Sequence, residues 1–243
     1  MTTTDRMTDS YYLGTYWPGR HEDAESCARR AEALFDSLGR IEPSWRQWHE
    51  TGWTFEAARS RTFQTDRESF LQLFARKKNR IGDAFRYWLW TGPHEDETTG
   101  VGGYCGSADA QPTANCVISL PAQGEVAGRV MVAPVLAELL RALVHSWEPD
   151  WGVVASEQYR DQASASGAPG TFLGWMTYFS RQRGTLPPLP APVRVEPVGA
   201  LGTLVILTEE RFTVTNPEHV RLATEVHQLL DAAGLLTSLW SLS

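Results

Sequence analysis

Cysteine is scarce: Cys27, Cys105 and Cys116 are the three in 243 residues, an odd set that cannot all pair with one another. This excludes a disulfide-stapled secreted scaffold and fits a reducing compartment. Long apolar runs are missing too. No segment approaches the ~18 apolar residues that a membrane-spanning helix needs, and the opening is polar, without a signal-peptide core. The expectation is a cytoplasmic protein with no membrane partner. Positive charge is in the minority, with 22 Lys and Arg against 29 Asp and Glu, a net −7. That argues against direct binding of nucleic acid and suits a basic protein partner.

Motifs of established chemistry are also lacking. Six histidines are present (His21, His49, His94, His145, His219 and His227), none at HExxH spacing and none paired with cysteine at zinc-site intervals. His219 and His227 lie about two helical turns apart, too far to share an ion unaided. No GxSxG places a nucleophile. Glu209 and Glu210 are neighbours that a strand would point to opposite faces. The glycine-rich GVGGYCG, Gly100 to Gly106, has neither the spacing nor the strand–loop–helix setting of a phosphate loop. The chain is expected to hold no cofactor, no metal and no catalytic residues.

What is present describes an ordinary soluble globule, 42% apolar and 21% charged. The most ordered stretch is LGTLVILTEERFTVTNPEHVRLATEVHQLLDAAGLL, Leu201 to Leu236. Thr203 to Thr208 reads as a buried strand. Asn216, Pro217 and Glu218 start a helix as cap, first position and first-turn carboxylate. Its stripe is Leu222, Ala223, Val226, Leu229, Leu230 and Ala233, and Gly234 suits a left-handed stop.

Earlier in the chain, Tyr11 to Trp17 reads as a strand. A helix follows, with Ala24, Cys27, Ala28, Ala31, Leu34, Phe35 and Leu38 on its apolar side and Gly39 closing it. Cys27 on that stripe is a small buried hydrophobe, not a nucleophile. Ile41 to Phe63 is irregular and suggests short helices joined by turns. Asp66 caps a helix to about Arg80 that buries Phe70, Leu71, Phe74 and Ile81, with the basic run Arg76 to Arg80 at its end. Ala84 to Thr91 is a strand, Gly92 to Gly106 a soft loop, and Asn115 to Leu120 another strand. Pro134 opens a helix ending near Pro149. Strands at Asp150 to Val154 and Gly174 to Phe179 flank a Ser/Ala/Gly loop. Thr185 to Pro192 is a stiff connector, and Val193 to Val198 pairs beside Thr203 to Thr208. The sum is an α+β fold, a mixed, largely antiparallel sheet of about six or seven strands with helices packed on it. It spans residues 1–243 as one domain, with a subdomain break admitted near 185–192.

The segments YYLGTYWPGRHEDAESCARRAEALFDSL, PDWGVVAS and GTFLGWMTYF, and above all the Leu201 to Leu236 stretch, resemble the immunity protein 52 family of bacterial polymorphic toxin systems. The resemblance runs nearly the full length. It implies a cytoplasmic antitoxin that binds a cognate toxin, one carrying a restriction-endonuclease-fold nuclease domain, and blocks it by stoichiometric complex formation. The rivals are a small hydrolase or transferase with scattered site residues and an adaptor protein. For the contact surface, Glu95, Asp96 and Glu97 form an acidic loop able to steer toward a basic nuclease. Ten tryptophans serve as rigid core filler, with one or two free for a binding surface. Trp45, Trp48 and Trp53, in the irregular stretch, are the candidate anchors.

Overall fold

The computed structural model describes residues 9–109, 113–164 and 172–239. Strand β1 (Tyr11–Trp17) leads into α1 (Ala24–Ile41). Asp23 caps α1, accepting from the Ser26 amide at 2.8 Å, and Cys27, Ala31, Leu34, Phe35 and Leu38 are buried along it. The helix continues past Gly39 to Ile41. A Cβ on Gly39 would stand 3.2 Å from Arg46 Cγ, a close contact that a small shift of the Arg46 side chain relieves.

Between Ile41 and Phe63 the chain forms strands as well as the expected short helices. A 3-10 turn (Pro43–Arg46) is followed by β2 (Trp48–Glu50), α2 (Phe55–Arg59) and β3 (Thr62–Phe63). Asp66 caps α3 (Arg67–Ala75), which stops well before Arg80. A 3-10 turn at Lys77–Asn79 redirects the chain into β4 (Arg80–Ile81). A tight turn with Gly82 at φ +61° then starts β5 (Ala84–Thr91). Pairing of β4 with β5 overrides the helical pattern there, and Ile81 is 44% exposed rather than buried.

The glycine-rich segment expected to be a loop is β6 (Thr99–Cys105). Next come β7 (Ala114–Ser119), α4 (Gly124–Val130), α5 (Ala133–Trp147), β8 (Trp151–Ser156) and α6 (Glu157–Ser164). Within the stretch expected to be a Ser/Ala/Gly loop, Glu157–Ser164 is helix α6 instead, and residues 165–171 lie outside the described residues. The chain ends with β9 (Met176–Ser180), β10 (Arg194–Val198), β11 (Gly202–Ile206) and α7 (Pro217–Ala232).

These strands form one sheet in the order β10-β11-β9-β8-β1-β7-β6-β5-β2-β3, with β4 on β5. Every ladder among the described residues is antiparallel. This is the α+β class read from the sequence. The two faces of its centre are chemically unlike. On one, Trp17 stacks on Trp147 of α5 at 5.3 Å, Phe85 meets Phe74 of α3 at 5.1 Å, and Tyr87 meets Phe70 at 5.7 Å. On the other, Arg86, Tyr104, Asn115 and Tyr16 lie side by side across β5, β6, β7 and β1. The next rung is Trp88, Gly102, Val117 and Gly14. Toward β8 this second face closes: Val153 is buried, and Gly174 packs so near that a Cβ on it would stand 2.4 Å from Val153.

In α7 the Asn216 side chain accepts from the Glu218 amide at 3.0 Å, and Gly234 takes φ +73° beyond the helix end. Leu222, Ala223, Val226 and Leu230 are buried, but Leu229 is 37% exposed and Ala233 is exposed. At ~100° per residue, Leu229 falls at the margin of the stripe rather than at its centre.

Candidate functional site

The β5–β6 hairpin carries the acidic loop at its tip, where Glu95–Glu97 form a single 3-10 turn. Glu95 and Asp96 are exposed. Glu97 is half-buried, its side chain folded onto the start of α4, where a Cβ on Gly124 would meet Glu97 Oε2 at 2.0 Å. None of the three carboxylates forms an ion pair among the described residues, so the tip keeps its negative charge uncompensated.

The three candidate tryptophans separate. Trp45 and Trp48 are core residues: the Trp48 indole donates to the Trp45 carbonyl at 2.6 Å and meets Phe35 edge-on at 4.8 Å. Both are therefore withdrawn as direct partner contacts. In this irregular stretch both side chains are packed inside, and Trp45 reaches only the wall of a cleft beside the hairpin tip. Trp53, in the turn before α2, is 98% exposed.

A cleft of about 740 Å³ opens beside the tip, lined among others by Trp45, His49, Arg59, His94, Glu97 and Arg129. It brings Glu97 near Trp45 but includes neither Trp48 nor Trp53. His49 lies against Trp90 at 5.1 Å, and its burial pushes its pKa down, favouring the neutral ring. Its Nδ1 is buried without a partner among the described residues. Ser44, also in the cleft, donates its hydroxyl to Glu42 at 2.7 Å and forms no hydrogen bond to His49. The nucleophile–base pairing that activates a serine is not formed there.

A second cleft, about 850 Å³, lies by Trp17, Asp150, Tyr178 and Ser180. Of its two carboxylates, Asp150 accepts from Ser180 at 2.9 Å and from Arg183 at 2.6 Å, and Glu148 pairs with Arg30 at 3.3 Å. Arg183 also donates to the Leu235 carbonyl at 2.7 Å, holding the segment just after α7. Glu209 and Glu210 are likewise engaged. Glu209 pairs with Arg194 at 2.5 Å, and Glu210 accepts from His219 Nε2 at 2.8 Å while the Thr213 amide donates to the Nδ1 of that ring. Among the described residues no group of three or more His, Cys, Asp or Glu is placed to hold a metal ion. No helix among them is long and apolar enough to cross a membrane.

Sequence reasoning missed Trp88, which is 45% exposed in the middle of β5. AFRYWLWT gives no signal for it, because residues 87 to 90 are aromatic or apolar throughout; the pairing with Gly102 that leaves room over the strand appears only in the folded chain.

The profile described as Immunity protein 52 matches residues 9–239. The chain belongs to this family. It is therefore an immunity protein of a toxin system, and its work is to bind a cognate toxin. Among solved structures it is similar in fold to the Pseudomonas aeruginosa T6SS protein PA0821, with a TM-score of 0.59 and 14% identity over 93% of this chain and 72% of that one. Among curated proteins none matches.

Proposed function

We propose that this immunity protein neutralises a cognate nuclease toxin of restriction-endonuclease fold by forming a stoichiometric complex in the cytoplasm, without turnover. The observation that carries the reading is the hairpin tip, where Glu95, Asp96 and Glu97 stand without ion-pair partners among the described residues. A nuclease must present a basic surface to hold its phosphate backbone. An acidic tip on a chain of net charge −7 steers such a domain into place. Trp53 is a contact of the same complex. The T6SS label of the Pseudomonas protein extends this proposal to a toxin delivered by that kind of system.

Co-expression tests the reading. Cells making the toxin domain should survive only when the immunity protein is present, and a one-to-one complex should elute on gel filtration. Neutralisation at far below equimolar amounts would replace binding with enzymatic modification of the toxin. A toxin whose lethal activity is not nucleic-acid cleavage would remove the nuclease from the proposal.

A further inference from the structure

On β6, Gly100 and Gly102 point away from the helices and leave a gap that one side chain fills. A Cβ on Gly100 would stand 2.5 Å from the Trp88 ring, and one on Gly102 would stand 2.3 Å from it. The indole therefore lies flat on the neighbouring strand, fixed in orientation, and remains 45% exposed. The arrangement recurs on β1, where the Tyr16 ring folds back over Gly14 and a Cβ would meet its hydroxyl at 2.5 Å. Gly14 and Gly102 are both in register with Val117 on the strand between them. The result is a shallow floor: two flat aromatic rings flank a half-buried valine, with Tyr104 and Asn115 on the adjoining rung.

The covered half of the Trp88 ring offsets the cost of glycine inside a strand, roughly 0.5–1 kcal/mol relative to alanine, and the other half stays open to solvent. Rigid Trp and Tyr with Gly, Asn and Arg between them is the composition of surfaces that grip other proteins, giving large contact area with little rotamer entropy to lose. Charge orders the floor along the hairpin. Glu95 and Asp96 stand at the tip, while Lys77, Lys78, Arg80 and Arg86 are all exposed at the opposite end of β5.

We propose that the solvent face of β5, β6, β7 and β1 is where the toxin docks, with Trp88 as the central anchor; this rests on the toxin-binding reading above. The partner surface it fits is flat and apolar at its centre, basic toward the hairpin tip and acidic toward the Lys77–Arg86 end. Family membership names the occupant, a cognate toxin. Four strands at ~4.8 Å spacing and two rungs of side chains give a floor of roughly 300 Å², so the toxin must also reach the charged ends to approach the ~1,200 Å² of a stable interface.

The test uses the full chain and a catalytically inactive toxin domain. Trp88→Ala should raise the dissociation rate roughly 30-fold or more, the loss typical of a hot-spot residue. Gly102→Ala, which lifts the indole off the sheet without deleting it, should raise it too. Hydroxyl-radical footprinting of the unmutated pair gives a readout that no folding defect can mimic. Trp88 and Tyr104 should be oxidised in the free protein and protected in the complex. If the pair binds one-to-one while Trp88 stays equally oxidised, the docking face is elsewhere and the toxin-binding reading survives. If the chain and the toxin do not bind at all, both fall. A wild-type dimer that Trp88→Ala converts to monomer would give the face to a second copy and overturn the proposal.

Discussion

Arg129 on α4 holds Glu42, the residue that ends α1, through two hydrogen bonds of 2.9 Å. Glu42 also accepts from the Ser44 amide and hydroxyl, so one buried carboxylate joins two helices and caps the 3-10 turn between α1 and β2. The Arg129 guanidinium, helped by Ser44, outweighs the cost of burial and holds the Glu42 carboxyl down at about 2, from an ordinary 4.5. A carboxyl depressed in the folded state stabilises above its unfolded pKa and loses that contribution as pH falls through the folded one. Glu42→Gln should therefore destabilise the protein at neutral pH by about 1–3 kcal/mol. Melting temperatures at pH 7 and near pH 2 check this, since the gap between wild type and variant should narrow in acid. An equal gap at both would show that the charge is not the cause.

Adjacent leucines of α7 should behave differently. Leu230 is fully buried, so Leu230→Ala should cost about 2–5 kcal/mol, whereas Leu229, 37% exposed, should cost well under half as much when truncated. Urea denaturation of the two variants measures the difference. Equal losses would place Leu229 in the core after all.

All three thiols should resist modification in the native protein. Cys27, Cys105 and Cys116 are buried. The contact with Cys27, then burial, pushes the Cys105 thiol well up, and burial pushes Cys116 up to about 12. Thiolate is the reactive form, so an aromatic disulfide reagent should titrate none of them at pH 8 and all three in denaturant. Rapid labelling of the folded chain would contradict this burial.

Periodic elements were legible in the sequence because a single face decides them. The cap of α7 and its buried Leu222, Ala223, Val226 and Leu230, the Cys27 stripe of α1 and the strand at Tyr11–Trp17 stand where their patterns put them, while Leu229 and Ala233 do not. The illegible parts depend on partners distant in the chain. Glycines at 100, 102 and 103 read as a loop until Trp88 and Tyr87 are seen to fill the space above and below them. The burial of Trp45 and Trp48 is not legible in their irregular stretch, because the cover, such as Phe35 of α1 against Trp48, comes from elsewhere in the chain. Of the candidate surface, the acidic tip and Trp53 could be found from composition. Trp88 could not, since an exposed indole within a strand reads like a buried one.

The acidic tip should act on association more than on residence. Glu95 and Asp96 project into solvent at the end of the β5–β6 hairpin, and long, exposed carboxylates gain little on contact because water and salt screen them. At a distance their field still orients an approaching basic domain. Neutralising the loop as Glu95→Gln, Asp96→Asn and Glu97→Gln should slow association with the toxin several-fold at low ionic strength. The change should fade near 1 M salt, where the screening length falls to ~3 Å. Dissociation should stay nearly constant, because it is set by the packed aromatic contacts. Glutamine at 97 preserves the side chain that lies against Gly124, so the turn itself should hold. Stopped-flow mixing at two salt concentrations separates the two rates, and an association rate unchanged at low salt would remove the tip from the encounter.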